Sequence, residues 1–348
     1  MIKVFVIDDS ATVRNAFTKI FSSAKDIELI GKANNPVDAF HIFKKVGLPD
    51  VFILDIEMPK MDGLTFLRKI NKQRPIPVIM CSTLISKGSS AAIDALRMGA
   101  VDIVQKPASG LKEFFNAKND EFLDSVRAAA ESKVHFNFNI ANANYTIKKE
   151  TKGIKSSFGA SKKIIAIGSS TGGVQVIEEI ILNLNPNHPA IVITQHMPPG
   201  FTASFAERLN MLAKNSQVKE AQEGDVLLPG HILIAPGNKH LEVKRNGFSY
   251  VATIKDYPKV NSHKPSVNVL FDSMAKEVGK NGVGFILTGM GDDGALKLKA
   301  MKDVGAKTYA QNEKSCTVYG MPKRAVELGA VHEIMSIMRI VSTINSLR

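Results

Sequence analysis

The sequence predicts an α/β protein of two doubly wound parallel-sheet domains joined by a linker, the second domain carrying a β-hairpin. Three observations predict it. Short β-branched runs such as Lys3-Val-Phe-Val-Ile7 and Val51-Phe-Ile-Leu54 have no polar interruption, as expected of strands buried on both faces. Amphipathic stretches separate these runs, and that alternation builds an open parallel sheet with helices on both faces. Between about residues 125 and 162 the texture changes to Asn, Ala, Ser and Lys without periodicity, and the alternation restarts at Ile164.

In order, strands are expected at 3–7, 51–54, 76–80 and 101–104, with helices at 11–24, 37–46, 64–71 and 89–98, the last capped by Gly99. A helix then runs out of the first domain into the linker. The second domain is expected to follow as strand 164–167, helix 174–182, strand 190–194 and helix 202–213. Arg245-Asn246-Gly247 joins two strand-like runs and reads as a two-residue hairpin turn. Helix 269–277, strand 283–287, helix 295–304, strand 306–310 and two terminal helical stretches complete it. The expected division is 1–122, a helix end and linker at 123–161, and 162–348.

Composition narrows the function. The 348 residues include 44% hydrophobic and 22% charged, an ordinary globular balance, and suffice for about two domains at ~100–200 residues each. No apolar run approaches the ~20 residues of a membrane span, and the N-terminal segment meets Asp8 and Asp9 too early for a secretory signal. Cys81 and Cys316 stand alone in separate halves, which fits a reducing cytoplasm rather than a disulfide scaffold or cysteine zinc site. The net charge of +12 is spread along the chain, with no Trp and no basic stripe, so nucleic acid is not an expected partner.

In an open parallel sheet, ligands bind beyond the carboxyl ends of the strands. Asp8 and Asp9 follow the first strand, Asp55 follows 51–54, Ser82 follows the strand ending at Cys81, and Lys106-Pro107 follows 101–104. Any one such aspartate is commonly a helix cap or turn former. Three converging carboxylates, however, repel unless a cation joins them, and Mg²⁺ together with Lys106 meets that need. A carboxylate left accessible can attack a phosphoryl group. With Asp55-Ile-Glu-Met-Pro59 and Met61-Asp-Gly63, the pattern resembles a two-component receiver domain over roughly the first 120 residues. The resemblance implies a flavodoxin-like fold and Asp55 as phosphoacceptor. It also implies Mg²⁺ on Asp9, Asp55 and the Glu57 carbonyl with Asp8 in support, and Ser82 and Lys106 as switch contacts.

In the second domain, Gly168-Ser-Ser170-Thr-Gly172-Gly173 closes a strand and opens a helix. It fits a nucleophile elbow, in which glycines permit a sharp turn that presents a serine at the sheet edge. A phosphate-cradling dinucleotide loop is the comparable alternative. The glycines do not follow G-x-G-x-x-G, and the next strand ends in Gln195-His196 instead of an acidic residue, which favours the elbow. His196 follows 191–194 directly, so it reaches the same edge as a candidate general base. Leu287-Thr-Gly-Met-Gly-Asp-Asp-Gly294 brings Asp292 and Asp293 to another strand end, where either can orient the imidazole. His188, His231, His240 and His263 have no such placement and read as packing or surface residues, with a place lining the cleft as the alternative for His240 and His263.

Taken whole, the chain resembles the chemotaxis protein-glutamate methylesterases, response regulators with a C-terminal esterase. The carrying motifs are Gly168-Ser-Ser-Thr-Gly-Gly173, Thr194-Gln-His-Met-Pro-Pro-Gly-Phe201, Lys264-Pro-Ser-Val267, Leu287–Gly294 and Ala310-Gln-Asn-Glu-Lys-Ser-Cys316 with Tyr319-Gly-Met-Pro322. The resemblance implies a Rossmann-like esterase domain with Ser170 as nucleophile, His196 as base and Asp293 as the triad acid. Thr171 and the main chain around Met290 would hold the oxyanion, and no cofactor is implied at this site. It further implies methyl ester hydrolysis at glutamates of methyl-accepting chemotaxis receptors, deamidation of receptor glutamines, and phosphorylation at Asp55 by a chemotaxis histidine kinase. A cytoplasmic monomer recruited to receptor clusters is expected. The rival readings are a DNA-binding response regulator, a nucleotide-binding scaffold built on 168–173, and an esterase acting on a receptor outside chemotaxis.

Overall fold

The uninterrupted apolar runs form parallel strands in the computed structural model, which describes residues 1–82, 88–106, 111–132 and 162–347. The chain divides into two units, Met1–Ala143 and Asn144–Arg348.

The first unit alternates β1 (Ile2–Ile7), α1 (Ala11–Ser23), β2 (Ile27–Ala33), α2 (Pro36–Val46), β3 (Val51–Asp55), α3 (Gly63–Gln73), β4 (Val78–Ser82), α4 (Gly88–Arg97), β5 (Asp102–Gln105) and α5 (Leu111–Glu131). Its sheet runs β2-β1-β3-β4-β5, all parallel. The strand order reverses between β1 and β3, so the ends of those two strands flank the crevice where such sheets bind ligands. One face packs Phe17, Phe21 and Phe122 on Val4, Val6 and Ile53. On the other, Phe5, Phe43, Phe52 and Phe66 meet edge to face. Asn35 and Asp62 cap α2 and α3 by accepting the backbone N–H of Asp38 and Thr65. The linker expected at 123–161 begins with the end of α5, and 133–161 lie outside the described residues, as does Pro107.

The second unit contains β6 (Ile164–Ser169), α6 (Gly173–Leu182), β7 (Ala190–Gln195), α7 (Phe201–Leu212), β8 (Gln217–Glu220), β9 (His231–Ile234), β10 (His240–Asn246) and β11 (Ser249–Lys255). It continues through α8 (Val267–Ser273), a π-helical turn at Met274–Val278, β12 (Gly282–Ile286), α9 (Ala295–Asp303), β13 (Lys307–Gln311), α10 (Met321–Glu327), β14 (Glu333–Met335) and α11 (Ile337–Ser346). The seven-stranded sheet runs β14-β13-β12-β6-β7-β9-β8 and is parallel throughout. Here the order reverses between β6 and β12. Val267, Leu270 and Phe271 of α8 share a core with Ile164, Ala166 and Ile286.

Three differences from the sequence reading have plain causes. β2 and β8 lie at sheet edges, and their mixed sequences, Ile-Glu-Leu-Ile-Gly-Lys-Ala and Gln-Val-Lys-Glu, lack the apolar run by which buried strands are recognised. The hairpin turn falls one residue later than read, because Asn246 pairs with Ser249 and leaves Gly247-Phe248 as the two-residue loop. Gly247 takes φ +59, as the first loop position of a type II′ turn requires. The helix expected at 269–277 begins at Val267 and yields to the π-helical turn after Ser273. Among the described residues, no helix is long and apolar enough to cross a membrane.

Candidate active site

Two sites form, one at the carboxyl edge of each sheet. In the first unit, Asp8 and Asp9 leave β1, Asp55 ends β3, and Lys106 follows β5. Ligand oxygens of the three aspartates lie within 4.8 Å of one another. The Lys106 ammonium stands 2.5 Å from Asp8 Oδ2 and 2.9 Å from Asp55 Oδ2. Burial pushes the Asp55 carboxyl up to about 6; Lys106 pulls it back only in part, and Asp8 adds to the rise. Asp8 is raised as well, again chiefly by burial. Asp9 is exposed. A cluster of hard oxygen donors, two of them buried, under this much repulsion fits a hard divalent cation.

Backbone contacts hold this site. Asp55 Oδ1 accepts the N–H of Ile56, and Asp8 Oδ1 that of Ser10. Gly63 closes on the same strand end: its N–H donates to Ile56 O, and a Cβ there would stand 2.0 Å from Asp55 O. That contact explains the glycine of Met61-Asp-Gly63. Ser82 is buried at the end of β4, and its carbonyl accepts the Lys106 N–H at 2.6 Å. Glu57 is exposed on the loop leaving β3.

In the second unit, Ser170 is the first residue beyond β6, and β6 borders both β7 and β12, whose ends deliver His196 and Asp293. The register pairs Ser169 with Gln195, which places Ser170 and His196 side by side at the sheet edge. The turn after Ser170 depends on glycine. Gly172 has φ +78, and a Cβ on Gly173 would stand 2.2 Å from Gln195 Oε1. Gln195 ties the two strand ends together: Ser169 Oγ donates to its Oε1, and its Nε2 donates to the carbonyls of Ser170 and His196. α6 begins at this turn, with no side chain capping its N-terminus.

His196 is anchored at both ends. Its N–H donates to Ser169 O at 3.0 Å, and its Nε2 lies 2.8 Å from Asp293 Oδ2. The other ring nitrogen, Nδ1, is buried without a hydrogen-bond partner among the described residues. Asp293 is fully buried at the N-terminus of α8, where Oδ1 accepts Ser266 Oγ–H and Asn268 N–H and Oδ2 accepts Val267 N–H. Burial by itself would raise this carboxyl, but the hydrogen bond and charge of His196, with the Ser266 hydroxyl, hold it below its ordinary value. Asp293 therefore caps α8 across space, while Gly294 occupies the cap position of α9. Asp292 points elsewhere; it is exposed and accepts from Asn261 Nδ2 at 2.8 Å.

The loop after β12 also abuts Ser170. A Cβ on Gly289 would stand 2.7 Å from Ser170 Cβ, and Ser170 N–H donates to Thr288 O. Thr288 is buried and held by Gln311 Oε1 on its N–H, by Val318 N–H on its Oγ1, and by its own donation to Thr171 O. The backbone N–H groups of Thr171 and Met290, which follow Ser170 and Gly289 in the chain, donate to no acceptor among the described residues.

The sequence reading missed two residues here. Gln195 appeared only as part of a motif. His263 reads from the sequence as a packing or surface residue, with the cleft only as its alternative, and its ring stacks on His196 with centroids 3.7 Å apart and planes 13° from parallel. Burial, reinforced by the charge of His196, pushes His263 down to about 3, so it is neutral at ordinary pH. His240 and His188 have structural contacts, to Pro258 O and Ser266 N–H, and to Pro189 O and Ser216 respectively.

Comparison with known proteins agrees with this division. The CheB methylesterase family matches residues 165–344, and the response regulator receiver domain matches 4–116. A Leptospira interrogans protein named protein-glutamate methylesterase/protein-glutamine glutaminase 3 is 49% identical over 346 residues, 99% of each chain. The Escherichia coli protein-glutamate methylesterase/protein-glutamine glutaminase is 46% identical over 97% of this chain and 95% of its own. The crystal structure of the Thermotoga maritima CheB methylesterase catalytic domain superposes with a TM-score of 0.52 at 37% identity, covering 53% of this chain and 98% of that one. Near-complete coverage at such identity leaves no room for a different family: the chain belongs to the CheB methylesterases and carries a response regulator receiver domain ahead of the methylesterase domain.

Proposed function

We propose that this protein is a phosphorylation-activated serine hydrolase that removes methyl esters from chemoreceptor glutamates and deamidates chemoreceptor glutamines. The observation that carries the reading is the His196–Asp293 pair at the strand ends beside Ser170, with His196 Nδ1 buried and without a partner among the described residues. The names of relatives that match nearly the whole chain supply the substrate class.

In this mechanism, Nε2–H of His196 donates to Asp293, which fixes the tautomer and leaves the Nδ1 lone pair to act as base. Ser170 Oγ attacks the ester or amide carbonyl as its proton passes to Nδ1. The tetrahedral oxyanion lies against the Thr171 and Met290 N–H groups at the N-terminal end of α6. Collapse of the adduct expels methanol or ammonia, which takes the proton from His196. Water, deprotonated by the same nitrogen, then hydrolyses the acyl-serine and releases the free glutamate. Loss of one oxyanion donor in such a site costs roughly 10²–10³ in turnover.

We assign regulation to 1–122 and chemistry to 162–348, joined by 123–161. Asp8, Asp9 and Asp55, with the Glu57 carbonyl, are the residues that would hold Mg²⁺, whose charge neutralises an incoming phosphoryl group. Asp55 is the acceptor, Ser82 and Lys106 are the contacts through which its state is sensed, and a chemotaxis histidine kinase is the donor. The protein acts as a cytoplasmic monomer at receptor clusters.

Methylated receptor membranes test the regulation. With Mg²⁺ and a small phosphodonor, methanol release by the wild type rises, whereas Asp55→Asn keeps its basal rate and gains nothing from the donor. Equal stimulation of both proteins would refute Asp55 as the control point.

A further inference from the structure

The residues 260–263 form a tight turn closed by two backbone hydrogen bonds, Val260 N–H to His263 O and His263 N–H to Val260 O, each 3.0 Å. Its central residues, Asn261 and Ser262, have φ +51 and +65. Asparagine tolerates that region; serine has no such preference, so a strained geometry is retained without glycine. The turn is tied down on both sides. Asn261 Nδ2 donates to Asp292, the residue before Asp293, and beyond the turn the chain reaches Ser266, whose hydroxyl donates to Asp293. The product of this arrangement is the His263 ring lying flat on His196.

A flat neighbour supplies a constraint that the other anchors lack. The Asp293 bond pins Nε2 of His196, and the Ser169 bond pins its backbone, but the imidazole can still swing about the line through those points. Stacking removes that swing and excludes water from one ring face. We propose that the turn 260–263 is a clamp in which His263 is a positioning residue for His196, and Asp292 holds the clamp through Asn261. This rests on the reading of Ser170 as nucleophile and His196 as its base. Asp292 contributes only a hydrogen-bond acceptor, so its charge is dispensable, which separates its role from that of Asp293.

The test is the rate at which a fluorophosphonate labels Ser170 in the full-length protein. In that step the Ser170 Oγ–P bond forms, fluoride leaves and the serine proton passes to His196, so no receptor is needed. His263→Ala is expected to label about tenfold more slowly or worse, as misplaced catalytic groups do. His263→Phe, which restores a flat ring, recovers most of that loss. Asp292→Ala slows labelling and Asp292→Asn matches wild type, and hydrolysis of a small ester follows the same order in kcat with KM unchanged. Asp292 is exposed, so this second pair carries the test if His263→Ala does not fold. Wild-type labelling rates in His263→Ala would overturn the clamp, as would Asp292→Asn behaving like Asp292→Ala. Failure of the wild type to label would instead remove the nucleophile assignment, and the clamp with it.

Discussion

Asp293→Ala is expected to abolish turnover and to destabilise the methylesterase domain in one step. The fully buried carboxylate accepts from His196 Nε2, Ser266 Oγ, Val267 N and Asn268 N. Alanine leaves the α8 N-terminus with orphaned donors, a loss of about 3–5 kcal/mol at a buried hub of this kind. It also frees the imidazole to take the wrong tautomer, which costs roughly 10⁴ in kcat in comparable triads. Asp293→Asn separates the two effects. Its amide oxygen keeps the acceptor role on one side of the helix end and loses it on the other, so part of the stability remains while turnover falls nearly as far. The acid limb of a stability profile provides an independent check. Because Asp293 is held below its ordinary value when folded, its contribution is present above the unfolded value of about 4 and is lost as pH falls through the folded one. Urea midpoints across that range should fall more steeply for wild type than for Asp293→Asn, and a flat wild-type curve would contradict the assigned contacts.

The second large effect lies in the receiver domain and has the opposite sign. In the presence of a chelator, Asp55→Asn is expected to stabilise it near neutral pH. Asp55 rises from 3.8 to about 6 on folding, mainly through burial, so the folded domain holds this proton more tightly than the unfolded chain. Stability is therefore greatest below the unfolded value and declines as pH rises through 4 to 6, by about 2–3 kcal/mol once both states are ionised. Removing the charge removes that decline. Lys106 keeps Asp8 as its partner, so no buried cation is stranded. Adding Mg²⁺ should raise the wild-type midpoint and leave Asp55→Asn much less affected, since a ligand stabilises only the state that binds it. Equal midpoints for the two proteins in chelator would show that the cluster carries no strain.

Most of the site residues were readable in the sequence because they closely follow short β-branched runs. Asp8, Asp55, Lys106, Ser170 and His196 sit one to three positions past such a run, and a parallel sheet sends every strand end to one edge. What the pattern did not contain was direction. Asp292 and Asp293 are neighbours with the same chemistry, and only the close approach of α8 decides that 293 is buried against the histidine while 292 faces the turn at 260–263. His263 lies in a stretch with no period of 2 or 3.6, so the cleft was only an alternative place for it and its pairing with His196 was not legible. Gln195 was hidden for a different reason. In the sequence it counts only as the place where an acidic ribose ligand is lacking, though its side chain holds the serine turn. Edge strands β2 and β8 escaped because solvent on their open side admits charged residues, which erases the signal.

The central claim is that Ser170 performs ester hydrolysis on receptor glutamates, and one measurement addresses it directly. Methylated chemoreceptor membranes are incubated with wild-type protein or Ser170→Ala, and released methanol is quantified over time. Ser170→Ala should retain the folded domain, since serine lends no side-chain bond to the turn that glycine and Gln195 hold. Methanol release by the wild type that falls to background in Ser170→Ala is the predicted result. Release that persists undiminished in the folded variant would contradict the account.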